Sequence, residues 1–538
     1  MNFEMDLEGR YTRRDVLRMG ATGAAGLGVM GLLGGCAGSG VAPIDGPNYV
    51  LNLQYAEHDL AGYRIRTRTF NGQIPGPTMR VRPGQTLRIT VRNQLPPNPP
   101  MMNGAVGNGG GMHRQPPHTE PPLGNFNNPH AFNTTNLHVH GPQVIPHLFE
   151  PNGYMVRIEP GTMRDYAFKI VNDQPPGLYW YHPHCHGSTD VQVSSGMAGL
   201  IVIEGDIDRV PEIAEARDEL FAIQSIRVDP SVANPNLYEI EPIAGATSDK
   251  GGYKLGGYAK TIYTVNGQAV CVQNLDGSQE FQALPTYHMR PGEVMRLRML
   301  NGTNELFMPI ALDDHVLHVI GFDGINTLRP WTMPAVNLAP ANRAEILIKA
   351  NMQPGTYILR QLEQNEQFGG PVPMMPLAQI VVSGPPLDMP LPRELPVPTR
   401  EYPLFGPQDV QVHRTVAFSV VFPYSDPTLL TGVGFELNNQ VYDELRIDQV
   451  MNLGTVEEWL LTNSSPEGHP FHLHVNSFQV VEIGGEAVEP YFADNIWIPK
   501  NSSVKFRVKS RTWTGKAVYH CHLLPHEDTG MMQNFVIQ

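Results

Sequence analysis

The chain has 538 residues, which is enough for about three domains of ordinary size. It contains 53 glycines and 50 prolines but only 17% charged residues, so it favours many turns and short strands over long helices. Its net charge of −14 argues against binding nucleic acid through phosphate contacts. Its 4 cysteines exclude a small fold held by many disulfides. Beyond the N-terminus, no apolar run is long enough to span a membrane.

The first 36 residues resemble an export signal rather than part of a fold. Arg13-Arg14 form a twin-arginine pair, and a weakly apolar, glycine-rich segment follows at 19–35. This pattern is typical of a Tat signal and predicts export to the periplasm or cell envelope; an amphipathic N-terminal helix is the alternative. Residues 33–36 resemble a lipoprotein processing site. Cys36 could therefore carry a lipid anchor, or cleavage could occur nearby without lipidation.

From about residue 45 to 206 the chain has the pattern of a first β domain. Residues 87–92 alternate apolar and polar side chains, as a half-buried strand does, and 167–170 and 199–203 are further predicted strands. A segment at 95–129, rich in proline, glycine and asparagine, is predicted to be a long exposed loop. Its thioether and imidazole side chains could collect copper weakly, or could be incidental to a flexible insertion. They are Met101, Met102, Met112, His113 and His118.

Two further blocks follow, at 215–383 and 408–538, separated by a proline-rich linker at 384–407. Residues 263–267 and 294–300 of the middle block are strand-like. Because each block is near 150 residues and has short strands broken by frequent turns, three β-sandwiches are predicted.

Many of the histidines fall into four His-X-His pairs, two in the first block and two in the third. In a strand, residues i and i+2 point to the same face, so each pair can aim two imidazoles at one point. The two pairs of a block are 44 residues apart in the first block and 48 in the third, as if one two-strand unit had been duplicated. Eight imidazoles would meet where these blocks touch, as a cluster of several copper ions requires. The pairs are His138 and His140, His182 and His184, His472 and His474, and His520 and His522.

A second kind of site is predicted near the C-terminus. Two imidazoles, one thiolate and a weak axial thioether form a blue-copper electron-transfer site. An inert buried thiol is the alternative for the cysteine. The residues that fit the copper set are His469, Cys521, His526 and Met531.

These motifs resemble those of the multicopper oxidase family, and the resemblance covers nearly the whole chain after the N-terminal segment. The matching stretches are 137–141, 179–187, 469–474 and 520–532. The last of them looks like the C-terminal motif of bacterial exported laccases and copper efflux oxidases. The resemblance implies an all-β protein of three cupredoxin-like Greek-key β-sandwich or barrel domains, of which the middle one holds no copper ligand.

The resemblance also implies four copper ions. By position, His138 and His472 would bind the type 2 copper. The C-terminal set just described would bind the type 1 copper, with Met531 as its axial ligand, which implies a modest reduction potential. The type 3 pair would take His140, His182, His184, His474, His520 and His522.

Such a protein is expected to couple oxidation of a small reducing substrate to reduction of O2 to water. Electrons would enter through the imidazole edge of His469 and pass along the chain from Cys521 to its two neighbours. The protons consumed would come through an acid near the cluster. Glu527 is the first candidate for that acid, and Glu150 and Asp190 are two others. Each of the three could instead be an ordinary surface acid.

Two substrate classes remain open. One is phenols and aromatic amines, as in laccases, and the other is Cu(I), oxidised to Cu(II) in copper tolerance. Well-developed cuprous oxidases carry a Met-rich insertion in the third domain, which this chain lacks, so the laccase-like interpretation is favoured. A non-enzymatic copper-binding envelope protein is a remote alternative, and a copper nitrite reductase would not need eight paired histidines. The protein is expected to be a monomer.

Three residues close to the motifs are left without a role. Cys185 could pair with Cys271 in a disulfide, or both could be buried thiols. His186 extends the second motif, although the family pattern does not require it, and His147 is predicted to lie in a loop.

Overall fold

A computed structural model describes residues 46–98, 127–231, 234, 236–240, 258–367, 370–398, 402–425 and 432–538. The N-terminal segment and the five thioether and imidazole side chains of the 95–129 loop lie outside these ranges. The export signal and the role of the loop therefore stay predictions. Within the described ranges, no helix combines the length and the apolar character that a membrane crossing requires.

The first block is a sandwich of two sheets. One sheet runs in the order β6–β4–β1–β2 and the other in the order β3–β8–β7–β5. Side chains alternate between buried and more exposed along β4, as expected for a strand with one face on a core. The elements are β1 Asn48–Leu60, β2 Tyr63–Phe70, β3 Gly76–Val81, β4 Thr86–Asn93, β5 His138–His140, β6 Met163–Lys169, β7 Gly177–His182, α1 Thr189–Ser194 and β8 Gly199–Ile203.

The middle block is a second sandwich, and its larger sheet is continuous with that of the first block, because β10 pairs with β2. The smaller sheet has the order β14–β22–β21–β16–β19. The elements are a 3₁₀ turn Ile207–Arg209, α2 Pro211–Glu215, β9 Arg217–Pro230, β10 Tyr238–Glu239, β11 Lys260–Val265, β12 Gln268–Asn274, β13 Gln279–Phe281, β14 Thr286–Met289, β15 Val294–Asn301, β16 Met308–Leu312, β17 Leu317–Phe322, β18 Ile325–Met333, β19 Val336–Leu338, β20 Arg343–Lys349, β21 Gly355–Gln361 and β22 Met375–Val382.

The third block packs a six-stranded sheet, β24–β23–β26–β31–β28–β29, with a five-stranded sheet, β25–β33–β32–β27–β30. Between the second and third blocks, the described part of the predicted linker holds no strand. The elements are a 3₁₀ turn Pro407–Asp409, β23 Val412–Val421, β24 Gly434–Leu437, β25 Gln449–Met451, β26 Val456–Asn463, β27 His469–Leu473, β28 Phe478–Ile483, β29 Glu486–Ala493, β30 Asn495–Ile498, β31 Ser502–Lys509, β32 Gly515–Cys521, α3 Leu524–Asp528 and β33 Met532–Ile537.

The all-β class is confirmed. The predicted strands at 87–92, 199–203 and 294–300 lie in β4, β8 and β15, whereas 167–170 runs one residue past the end of β6 and 263–267 includes the turn at 266–267 that follows β11. In the first block β5 pairs with β7 so that His138 lies opposite His182. In the third block β27 pairs with β32 so that His472 lies opposite His520. Each of these blocks therefore presents two His-X-His pairs from adjacent antiparallel strands, which is the duplicated layout that the spacing predicts.

A buried carboxylate joins the first and third blocks next to these strands. Asp528, in α3, accepts hydrogen bonds from the backbone N–H groups of Gly187, Thr189 and Asp190 at the start of α1. These donors have no partner inside the short helix, so Asp528 satisfies them across the interface. The contact fixes the segment after Cys521 against the segment after His184.

The two cysteines that could have formed a disulfide are both free and buried. Burial raises the pKa of Cys185 to about 11 and that of Cys271 to about 12. Both are thus protonated, unreactive thiols at neutral pH.

Candidate metal centre

Three donor atoms of the third block form a compact mononuclear group. The Sγ atom of Cys521 lies 3.5 Å from Nδ1 of His469 and 3.9 Å from Nδ1 of His526, and all three side chains are buried. Met531 is fully buried, and its backbone hydrogen-bonds to Cys521 and His526. Two imidazoles and a thiolate at this separation, with a methionine close in the chain, suit copper of the blue type.

The two imidazoles of this group differ in their exposure. His469 is completely buried, and its Nε2 lies 2.7 Å from the Ser465 hydroxyl, so its burial does not favour the predicted entry of electrons through its edge. His526 retains 7% exposure and stacks on Phe435 at a ring separation of 4.0 Å. Its Nε2 lies 3.7 Å from the carboxylate of Glu467. The imidazole that a substrate can approach is therefore His526.

The eight paired histidines form three groups at the interface of the first and third blocks, two of which share His140. In every group, the donor atoms lie within 4.8 Å of one another. Two of the groups divide the six predicted type 3 ligands into threes, and the third brings the two predicted type 2 ligands together. The groups are His140, His182 and His522; His184, His474 and His520; and His138, His472 and His140.

The chemistry of these donors fits a metal cluster. Among the residues that the structure describes, both ring nitrogens of His138 and of His522 are buried without a hydrogen-bond partner, as is Nε2 of His472. Leaving so many buried polar atoms unpaired is costly, unless a metal ion accepts their lone pairs. Copper is a fitting occupant because imidazole suits it as a ligand.

Burial keeps these imidazoles neutral and so able to bind a metal. It lowers the pKa of His182 and His469 to about 3. It also lowers the pKa of His138, with further contributions from the imidazoles of neighbours such as His474. A neutral imidazole has a free lone pair, whereas its protonated form has none to offer a metal.

A buried carboxylate that the sequence did not indicate supports two of the ligands. Oδ1 of Asp494 lies 2.9 Å from Nε2 of His140, and its backbone oxygen lies 2.7 Å from Nδ1 of His472. Arg343 donates to both carboxylate oxygens. Burial, and less strongly Asp323, raise the pKa of Asp494 to about 7 against the opposing effect of Arg343. No local motif marks Asp494, because its partners lie far away in the sequence.

The three predicted proton-relay acids end up in different places. Glu527 is fully buried, with its carboxylate 3.3 Å from Nδ1 of His184 and 3.2 Å from Nδ1 of His520. Asp190 is also buried but accepts a hydrogen bond of 2.6 Å from Asn304 instead. Glu150 pairs with Arg164, and its side chain is 36% exposed.

A small cavity of about 20 Å³ opens beside His138, His472 and His474, large enough for roughly one water molecule. His147 and Lys516 are also part of its wall. His147 is more than the loop residue that the sequence suggested, because its ring stacks on that of His138 at 5.5 Å. His186, by contrast, lies near Asn127, with 3.1 Å between Nε2 and the amide oxygen.

Fold and site together define a three-sandwich protein with one cysteine-containing metal group and a histidine cluster at a domain interface. Three family models, each described as multicopper oxidase, match residues 52–105 with 125–207, 244–375 and 408–538. The chain belongs to the multicopper oxidase family. It is therefore a copper-binding oxidoreductase that uses O2, which confirms the predicted enzyme class.

Known relatives are similar over most of their length. The chain is 23% identical to "Multicopper oxidase mco" of Staphylococcus haemolyticus over 90% of this chain and 87% of that one. It is 24% identical to a laccase of Bacillus subtilis over 90% and 93%. A solved multicopper oxidase from Campylobacter jejuni, described as a metallo-oxidase, superposes with a TM-score of 0.66 at 24% identity, covering 91% and 90%. The last likeness supports the predicted cupredoxin-like fold.

Proposed function

We propose that the chain is a laccase-like multicopper oxidase, which oxidises phenols and aromatic amines one electron at a time and reduces O2 to water. The observation that carries this proposal is the segment His520-Cys521-His522. Cys521 belongs to the mononuclear group, while each flanking histidine belongs to a different imidazole group. The backbone thus forms a short covalent link between the place where a donor is oxidised and the place where O2 would react.

Four copper ions match the donor groups, with one at the Cys521 group, one at His138 and His472, and a pair at the two remaining groups. Copper in these positions supplies one-electron redox chemistry and the capacity to bind O2. The chain supplies the rest. It keeps the imidazoles neutral, excludes bulk water from the donor groups and places Glu527 against two of the ligands.

The surroundings of the His526 imidazole favour an organic molecule as the electron donor. The imidazole keeps 7% of its surface exposed. The Phe435 ring stacks on it, and the Glu467 carboxylate lies near its Nε2. An aromatic wall beside a hydrogen-bond acceptor suits a phenol or an aromatic amine, which has a flat apolar ring and a polar hydrogen. The laccase from B. subtilis among the relatives is in line with this substrate class.

Cu(I) is the second candidate substrate, because Glu467 places negative charge at the same edge. A carboxylate attracts a cation as well as it accepts a hydrogen bond. The metallo-oxidase described for C. jejuni is in line with this alternative.

We further propose that the protein is exported in folded form by the twin-arginine route. The support for this is the Arg13-Arg14 pair and the glycine-rich segment at 19–35. It would then act in the periplasm or cell envelope, with Cys36 as a possible lipid anchor.

The test is oxygen uptake by the copper-loaded protein, with a methoxyphenol and Cu(I) supplied in parallel and Cys521→Ser as the inactive control. The proposal predicts faster uptake with the phenol. Faster uptake with Cu(I), together with a larger loss for Cu(I) than for the phenol in Glu467→Gln, would establish the second candidate. A copper-loaded protein that consumes O2 with neither donor would contradict both.

A further inference from the structure

One ligand of the cluster is oriented opposite to its neighbours. Nδ1 of His182, His472 and His520 faces a backbone carbonyl oxygen, at 2.8, 2.7 and 3.0 Å respectively, which leaves Nε2 for a metal. In His140, Nδ1 lies 3.4 Å from Nε2 of His182 within their shared donor group, and Nε2 faces Asp494. His140 must therefore carry its proton on Nε2 to offer Nδ1.

The contacts of Asp494 indicate which nitrogen of His140 carries that proton. Arg343 donates to Oδ1 and Oδ2 of Asp494, with 2.9 Å between Nη1 and Oδ1. Both oxygens of Asp494 thus accept from the guanidinium, and the imidazole nitrogen that faces Oδ1 is placed to donate to it as well. The hydrogen bond of 2.9 Å thus fixes the Nε2–H form of His140.

Arg343 forms hydrogen bonds to residues of all three blocks. It lies at the start of β20 in the middle block and is completely buried. Its guanidinium donates to the backbone oxygen of Leu178 in the first block and of Asp323 in its own block, besides Asp494 in the third. None of the donor groups found among the described residues includes a residue of the middle block. Arg343 is thus one direct contact through which this block can act on the cluster, beside the Asp323 carboxylate that accepts from the backbone N–H of Asp494.

The backbone next to His140 leaves room for the ion pair of Arg343 and Asp494. Gly141 follows His140 with a φ of +94°, and a Cβ atom there would clash with Nη2 of Arg343 and lie 2.5 Å from Oδ2 of Asp494. Strand β5 is therefore followed by a glycine, which has no side chain and lets the ion pair pack against the backbone.

We infer that Arg343 and Asp494 are positioning residues, which hold His140 with Nδ1 towards the metal and so connect the middle block, whose described residues supply no ligand, to the cluster. This inference rests on the proposed function, because it assumes that the imidazole groups hold copper. In other metal sites, loss of a partner that orients a ligand costs roughly 10–100-fold in metal affinity. A loss of that size, confined to the histidine cluster, is expected here.

The experiment measures copper affinity by competition with a chelator in Asp494→Asn and Arg343→Lys, together with the spectra of each type of copper. Asp494→Asn keeps the shape of the side chain but loses the charge. Arg343→Lys keeps the positive charge but loses the guanidinium that donates to both oxygens of Asp494. It tests the same contact if Asp494→Asn does not fold. Arg296→Lys is the matched control, because Arg296 is a buried arginine of the middle block that pairs with Asp208 and Glu345, away from the cluster.

Weaker copper binding with altered type 2 and type 3 signals, an unchanged blue absorption band and a normal Arg296→Lys control would support the inference. Wild-type affinity and spectra in both test variants would overturn it. So would an equal loss of all copper types, because that indicates general damage to the fold. If the wild-type protein bound no copper, the proposed function would fail, and the inference with it.

Discussion

Glu527 lies between two imidazoles of different blocks, with one carboxylate oxygen near His184 and the other near His520. Its neighbour Asp528 is buried beside it, and burial together with the charge of Glu527 raises the pKa of Asp528. Of the three acids that the sequence suggested, only Glu527 contacts predicted copper ligands in the described structure. It is thus the side chain placed to hold or release a proton next to the cluster.

Exchanging Glu527 for Gln is expected to slow reoxidation of the reduced protein by O2, by roughly 100-fold if it acts as a general acid. Reduction by the donor should stay nearly unchanged, because it takes place at the Cys521 group. Stopped-flow measurement of the two half-reactions separates them. Glu150→Gln is the matched control, since Glu150 pairs with Arg164 at a partly exposed position, and it should change neither rate. Equal slowing of both half-reactions in Glu527→Gln would remove the proton role.

At the scale of elements, the junction after strand β5 shows how tightly the site is packed. Gly141 and Gly153 both adopt positive φ angles, +94° and +88°. A Cβ atom on Gly141 would meet Arg343 and Asp494, whereas one on Gly153 would meet nothing within 4 Å. Substitutions at the two glycines can therefore distinguish two contributions to the free energy of unfolding. A side chain at either position requires a left-handed backbone, but only one at Gly141 also clashes with its neighbours.

Gly153→Ala is expected to lower the free energy of unfolding by about 1–2 kcal/mol, the cost of the left-handed conformation for a residue with a side chain. Gly141→Ala should cost a further 1–3 kcal/mol or so from overpacking. Urea unfolding of the copper-free proteins measures both. Equal losses in the two variants would show that the space around Gly141 is not needed.

The strands and the donor histidines could be predicted because their signals are local. Alternation marks β4, and the i, i+2 spacing fixes which imidazoles share a face. The supporting residues could not be predicted in this way. His140 and Asp494 are 354 positions apart, so their contact depends on how the blocks pack. The exposure of His526 rather than His469 has the same origin, because loops from several elements decide which ligand edge reaches solvent.

At the scale of the whole molecule, polar side chains hold the blocks together around the cluster, and half-buried Lys516 is one of them. Lys516, in β32 of the third block, donates to the backbone oxygens of Gly153 in the first block and Glu444 in its own. Burial lowers the pKa of Lys516 to about 8, although nearby carboxylates, that of Glu444 first, oppose this. Lys516 thus connects two blocks beside the cavity, although its partial burial disfavours the charged form of its amino group.

This lowered pKa predicts a dependence of stability on pH. Between pH 8 and 10.5 the unfolded chain keeps the Lys516 proton more readily than the folded one. Stability contributed by this group therefore rises with pH across that window and is smallest below pH 8. The difference in unfolding free energy between wild type and Lys516→Met, measured on copper-free protein, should shift in favour of wild type as the pH rises. A difference that is constant across the window would contradict the lowered pKa.

The proposed function requires that one chain link donor oxidation at the Cys521 group to complete reduction of O2 at the histidine cluster. The most direct test is the number of donor electrons consumed per O2 by the copper-loaded protein, measured in an oxygen electrode with catalase added at the end. We expect four electrons per O2 and no oxygen returned by catalase. Two electrons per O2, with half the oxygen returned from hydrogen peroxide, would show that the two centres do not work as one.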